Sequence, residues 1–81
     1  MLYIKLNTLP KQWEDLLEVI QESNIEILKH FSNGMQAKEI APLVYLSERT
    51  VEGRIYKMRK IFNCRGLTHL IAMALRLKLI E

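Results

Sequence analysis

Six arginine and lysine side chains lie within residues 49–65, a segment that contains one acidic residue, Glu52. This segment has a net charge of +5, whereas the whole chain of 81 residues has a net charge of +3. Residues 1–34 hold three lysines against five acidic residues, so the positive charge is concentrated in one part of the sequence. Such a local excess of cations suits binding to a polyanion such as nucleic acid.

The basic segment has the pattern of an amphipathic helix over residues 47–62. Ser47 is a helix-capping residue type, and Glu48 places a negative charge near the positive end of the helix dipole. Apolar residues then recur at intervals of four, three and four positions, which form one stripe of an α-helix. A helix that packs through one stripe and is basic elsewhere suits nucleic-acid reading, although a solvated surface helix has a similar pattern. The stripe consists of Val51, Ile55, Met58 and Phe62.

A helical wheel at about 100° per residue separates the polar residues of this helix into groups. Only side chains that point outward from a helix reach base edges in a major groove about 12 Å wide. Arg54 falls on one flank of the apolar stripe, whereas Glu52 and Arg59 fall on the other. The residues opposite the stripe are Arg49, Gly53, Tyr56, Lys57 and Lys60.

The chemistry of these residues predicts different roles on DNA. Arg49 can pair with guanine or hold a phosphate, and Tyr56 can touch a thymine methyl group or donate to a phosphate. Glu52 can accept from a cytosine amino group or pair with a cation of its own helix. Gly53 either lets the backbone approach the groove or is a tolerated surface glycine. The predicted phosphate contacts are Thr50, Lys57, Lys60, Arg65 and Lys38, of which Lys38 is equally well explained as a solvated lysine.

The rest of the sequence predicts further helices, because every periodic segment has a spacing near 3.6 residues rather than 2. A first helix begins within residues 7–10 and a second ends at Gly34, a residue type suited to the left-handed conformation. We place a break between them near residues 22–24, with Ser23 or Asn24 as the cap, although one continuous helix also fits. The first helix is expected to pack through Trp13, Leu16, Leu17 and Ile20.

A short helix over residues 36–44 precedes the basic helix, and residues 45–46 form the tight turn between them. Two helices arranged in this way are typical of a helix-turn-helix. A last helix begins at Gly66 or Thr68 and is apolar nearly all round over residues 70–77. Such a helix predicts either a contact with a second copy of the chain or cover for the first helix. The predicted dimer contact consists of Leu70, Met73 and Leu77.

From about Ser23 to Ile80 the sequence resembles the helix-turn-helix domain of the LuxR/GerE family of bacterial transcription regulators. The matching pieces are IEIL (25–28), Gly34, KEIA (38–41), LSERTV (46–51) and LTHLIAMAL (67–75). The resemblance implies a four-helix domain whose third helix enters the major groove of double-stranded DNA and whose last helix mediates a homodimer on DNA. The predicted fold is therefore all-α, with a LuxR-type domain over residues 23–81 and an additional N-terminal helix or linker over residues 1–22.

The sequence departs from the family pattern at two places. The family's first helix commonly begins Thr-x-Arg-Glu, where this chain has Gln21, Ser23 and Asn24 at the three specified positions. Many members have lysine in place of Glu52 and a larger residue in place of Gly53, so base preferences cannot be transferred to these positions. A receiver or ligand-binding domain usually precedes such domains. The chain is therefore either an excised domain whose receiver or sensor domain is missing or a stand-alone regulator.

Other classes of function find little support in the residues. His30 and His69 stand alone, and the single Cys64 can form neither an internal disulfide nor a zinc site, so we expect no enzyme, no cofactor and no metal. No apolar run approaches the roughly 18 residues of a membrane span, and we expect a cytoplasmic protein. The alternative function is a protein-interaction module that uses the same fold to bind another regulator rather than DNA.

Overall fold

The computed structural model describes residues 13–81, and within them all regular structure is α-helical. The all-α prediction is therefore confirmed, whereas the predicted start of the first helix within residues 7–10 lies outside the described residues. Nothing of the Trp13 side chain is described. The helices are α1 (Trp13–Val19), α2 (Glu22–Ser32), α3 (Ala37–Leu43), α4 (Glu48–Ile61) and α5 (Leu67–Arg76).

The helix is interrupted between α1 and α2, as predicted, but at residues 20–21 rather than 22–24. The predicted caps are wrong, because Gln21 is the N-cap of α2 and its side chain makes no capping hydrogen bond. Asn24 instead lies inside α2 with 3% of its surface exposed, and its Nδ2 donates to the carbonyl oxygen of Glu18 at 2.8 Å. Asn24 therefore bonds to a carbonyl group at the end of α1 rather than to an amide at the start of α2.

The packing face of α1 also differs from the prediction. Leu17 and Ile20 are 58% and 43% exposed, whereas Val19 is fully buried and Leu16 packs partly against the core. Val19, the last residue of α1, therefore points into the domain with Leu16, whereas Leu17 and Ile20 face outward. The first helix is thus joined to the common core through Val19 and Leu16.

Local sequence signals explain the segment from α2 to α4. Gly34 has a φ of +87° and ends α2 in the predicted left-handed conformation. At the start of α3 the Gln36 amide donates to the Glu39 carboxylate at 2.8 Å, one half of a capping box. Pro42 lies in the last turn of α3, and α3 ends one residue after it, so its disruption of the helix costs little there. Tyr45, with a φ of +58°, then turns the chain toward α4.

One hydrophobic core joins all five helices. The largest fully buried side chains come from every helix from α1 to α5 and from the residue that follows α4. Helix α4 contacts α1, α3 and α5, so its orientation is set from three sides. These buried residues are Phe62, Ile27, Leu28, Ile40, Met58, Leu70, Val19 and Val51.

Candidate nucleic-acid interface

Helix α4 begins at the predicted cap. The Ser47 hydroxyl accepts from the Thr50 amide at 3.0 Å and donates to the Thr50 hydroxyl at 2.8 Å. Glu48 lies in the first turn, where the helix dipole favours its charge. The Thr50 hydroxyl is exposed and its own hydrogen remains available to a further acceptor.

The two sides of α4 are separated as the helical wheel predicts. The whole apolar stripe is buried: Val51, Ile55, Met58 and Phe62 are 0%, 8%, 1% and 1% exposed. Glu52, which lies beside the stripe, is exposed, in contrast to the stripe itself. We call the opposite, solvent-exposed side the outward face of α4; it consists of Arg49, Gly53, Tyr56, Lys57 and Lys60.

The outward face contains an aromatic–cation pair that the sequence analysis missed. The Lys60 ammonium lies 5.4 Å from the centre of the Tyr56 ring, one helical turn away. The i, i+4 spacing of the two residues was the available signal. Within residues 13–81 the one ion pair between a lysine or arginine and a carboxylate is Lys57–Glu18, so Glu52, Arg49 and Lys60 belong to none.

The arginines on the flanks of α4 have internal partners. Arg54 Nη1 donates to the Ser23 hydroxyl and, at 3.2 Å, to the Asn24 side-chain oxygen, which ties α4 to the start of α2. Arg59 Nη2 donates to the carbonyl oxygen of Arg65 at 2.9 Å and holds the loop that follows α4. These two arginines are half-buried, and both donate to groups of the domain.

Gly53 stands in open surroundings. A Cβ atom added at this position would have no heavy atom within 4 Å, and the backbone is not in the left-handed region. Packing within the domain therefore does not require glycine here. The consequence of Gly53 is an outward face whose middle is backbone rather than side chain.

The remaining predicted site residues lie outside α4. Lys38 is exposed in the first turn of α3, and Arg65 is exposed in the loop between α4 and α5. Two residues of the predicted dimer contact, Leu70 and Met73, are 1% and 4% exposed and lie in the chain's own core. Neither side chain is available to a second copy in this conformation, whereas Leu77 is half-buried.

Three groups with possible reactivity have local structural partners. The His69 ring nitrogen Nδ1 accepts from the Arg65 amide at 3.2 Å, and His30 lies 3.8 Å from Glu26 one turn earlier in α2. Cys64 is half-buried, and this burial raises the pKa of its thiol while the nearby Arg59 guanidinium acts in the opposite direction. His69 thus caps a loop, and Cys64 packs against the core.

Among the helices of residues 13–81, none has the length and apolar character that crossing a membrane requires. A family model described as bacterial regulatory proteins, luxR family, matches residues 22–74. Comparison with curated proteins and with solved structures gives no match. The matched residues contain α2, α3, α4 and most of α5, and they leave α1 outside.

Proposed function

Because this chain belongs to the LuxR family of bacterial regulatory proteins, we propose that it is a sequence-specific transcription regulator whose α4 binds in the major groove of DNA. The observation that supports the proposal most directly is the difference between the cations on the flanks of α4 and those on its outward face. The cations on its flanks bond to the domain, whereas Arg49 and Lys60, on the outward face, form no ion pair with any residue of 13–81. Membership in a family of regulators also favours a regulatory rather than an enzymatic role.

Each residue of the outward face has a role in this proposal. Arg49, in the first turn of α4, reads guanine through its paired donors, and Tyr56 contacts a thymine methyl group or a phosphate. Gly53 leaves room for the helix backbone to approach the base edges. Thr50, Lys57 and Lys60 contact phosphates, which fixes the position of α4 without specifying sequence. Two exposed cations outside α4, Lys38 and Arg65, extend the phosphate contacts.

We further propose that the regulator binds as a homodimer through α5. Leu75 is 46% exposed near the end of this helix, and the half-buried Leu77 follows it. These two side chains offer a second copy the apolar surface that the buried Leu70 and Met73 cannot provide. A symmetric dimer would read two half-sites about one helical turn of DNA apart. A cytoplasmic location accords with such a role.

Selection from random duplexes, followed by affinity measurements at several salt concentrations, tests the DNA-binding proposal. We expect retention at low salt, a recurring sequence motif and a steep fall in affinity as salt rises. Reversing two charges of the outward face, Arg49→Glu with Lys60→Glu, is expected to abolish retention.

The matched control is Lys29→Glu with Lys78→Glu, which changes the net charge equally at exposed positions outside α4. Circular dichroism confirms that both double variants are folded. Loss of binding in the outward-face variant alone supports the proposal. No retention of the wild-type protein at low salt would overturn it and favour the protein-interaction function. Equal losses in both variants would contradict the assignment of DNA binding to the outward face.

A further inference from the structure

Glu18, in the last turn of α1, is attached to α4 through its side chain. Its Oε1 accepts from the Lys57 ammonium at 2.7 Å, a contact between residues 39 positions apart. Lys57 belongs to the outward face and is one of the proposed phosphate contacts. A carboxylate of the protein therefore occupies a position next to a cation that the proposed function assigns to DNA.

The backbone of Glu18 is attached to α4 as well. Its carbonyl oxygen accepts from Asn24 Nδ2 at 2.8 Å, and the Asn24 side-chain oxygen accepts from Arg54 at 3.2 Å. Arg54 lies one helical turn before Lys57 in α4, so both attachments reach the same part of that helix. The next residue of α1, Val19, is fully buried in the core. These contacts fix the position of Glu18, so its proximity to Lys57 follows from the way the helices pack.

The surroundings of this pair are open to a competing anion. Glu18 and Lys57 border a groove of about 390 Å³ between α1 and α4, which is also lined by Thr50 and Gly53. The side chain of Lys57 is 62% exposed and that of Glu18 is 36% exposed. Ion pairs this exposed are weak and screened by salt, so a phosphate oxygen can take the place of the carboxylate oxygen on the ammonium.

We propose that Glu18 limits the affinity of this protein for DNA by competing with a DNA phosphate for Lys57. The inference rests on the proposed function, since it concerns the same outward face. When DNA binds, Lys57 exchanges one anionic partner for another, and the loss of its ion pair with Glu18 lowers the net gain in affinity. Glu18 precedes the residues that match the family model, so the effect belongs to α1.

The variant Glu18→Gln tests this inference, since it removes the charge and leaves the backbone hydrogen bond in place. The matched control is Glu14→Gln, an equal charge change at an exposed position of the same helix. Affinity for a duplex selected by the wild-type protein is measured at several salt concentrations. We expect Glu18→Gln to bind about two- to fivefold more tightly at low salt than Glu14→Gln. Its affinity should also fall more steeply with salt, with a slope larger by up to about 0.9.

Repeating both changes in a Lys57→Gln background isolates the pair. We expect the advantage of Glu18→Gln over Glu14→Gln to disappear there, because no ammonium is left to compete for. Equal affinities of the two glutamine variants, or an advantage that persists without Lys57, would overturn the inference while wild-type binding upholds the proposed function. If neither the wild-type protein nor any variant binds DNA at low salt, the proposed function fails and the inference fails with it.

Discussion

The inward side and the outward face of α4 contain the same kinds of residue and use them differently. Arg54, on the inward flank, donates to two residues of α2, whereas Arg49 points to solvent and belongs to no ion pair within the described part of the chain. The inward side fixes α4 in the domain, and the outward face exposes the groups that are proposed to contact DNA. Substitutions on the inward side should therefore change stability, and substitutions on the outward face should change binding to DNA.

The largest effect is expected from opening a cavity beneath α4. Met58 is 1% exposed, so Met58→Ala should lower the free energy of unfolding by about 2–5 kcal/mol. Tyr56→Ala, two residues away and on the outward face, should change it by about 0.5 kcal/mol or less. Chemical denaturation measures both. Similar losses in the two variants would contradict the division of α4 into two sides.

A smaller loss of stability is expected from the arginine on the inward flank. Arg54→Met removes the donor to the buried Asn24 side chain, and an unsatisfied buried acceptor costs about 1–3 kcal/mol. Arg49→Met is the control, because it makes the same chemical change at an exposed position of the same helix and should cost about 0.5 kcal/mol or less. If thermal or chemical unfolding shows equal stabilities, the Arg54 contacts do not hold α2 to α4.

Two residues of the outward face should separate base reading from phosphate contact. Arg49→Ala should cost about 1–3 kcal/mol at one base pair and relax the preference there, if it reads guanine. Lys60→Ala should weaken binding to all sequences alike and reduce the salt slope by about 1. Binding to a panel of single-base variants of the selected duplex distinguishes them. A uniform loss with Arg49→Ala would reassign this residue to a phosphate.

The smallest effect is expected at Gly53, and its sign differs between folding and binding. Gly53→Ala should stabilise the protein by about 1 kcal/mol, because alanine is the better helix former and the added Cβ meets no neighbour. A simultaneous loss of affinity for DNA would indicate that the backbone approaches the groove at this residue. Unchanged affinity would identify Gly53 as a tolerated surface glycine.

The sequence predicts α4 well because its signals are local. The Ser47 cap and the stripe from Val51 to Met58 depend on residues within one helix, and both are confirmed. The last helix gave no such contrast, since it is apolar nearly all round. Its buried side, which contains Leu70 and Met73, could not be distinguished from its exposed side.

The contacts of the flanking cations could not be predicted either. Arg54 meets partners 30 and 31 positions earlier in the chain, and Lys57 meets Glu18 across 39 positions. No periodic pattern relates residues so far apart, because their meeting depends on how α1 and α2 pack against α4. From the sequence alone, these two residues cannot be distinguished from the other cations of α4. Only the packing of the helices shows that Arg54 bonds to α2 and that Lys57 pairs with Glu18.

The central claim, that the outward face of α4 is the surface that contacts DNA, is tested most directly by nuclear magnetic resonance. Backbone amide and side-chain chemical shifts of the labelled wild-type protein are followed as a selected duplex is added. The largest changes should fall within residues 47–60 and at the side chains of Arg49, Tyr56 and Lys60. Changes confined to α5 or to α1 and α2, with α4 unaffected, would contradict the claim.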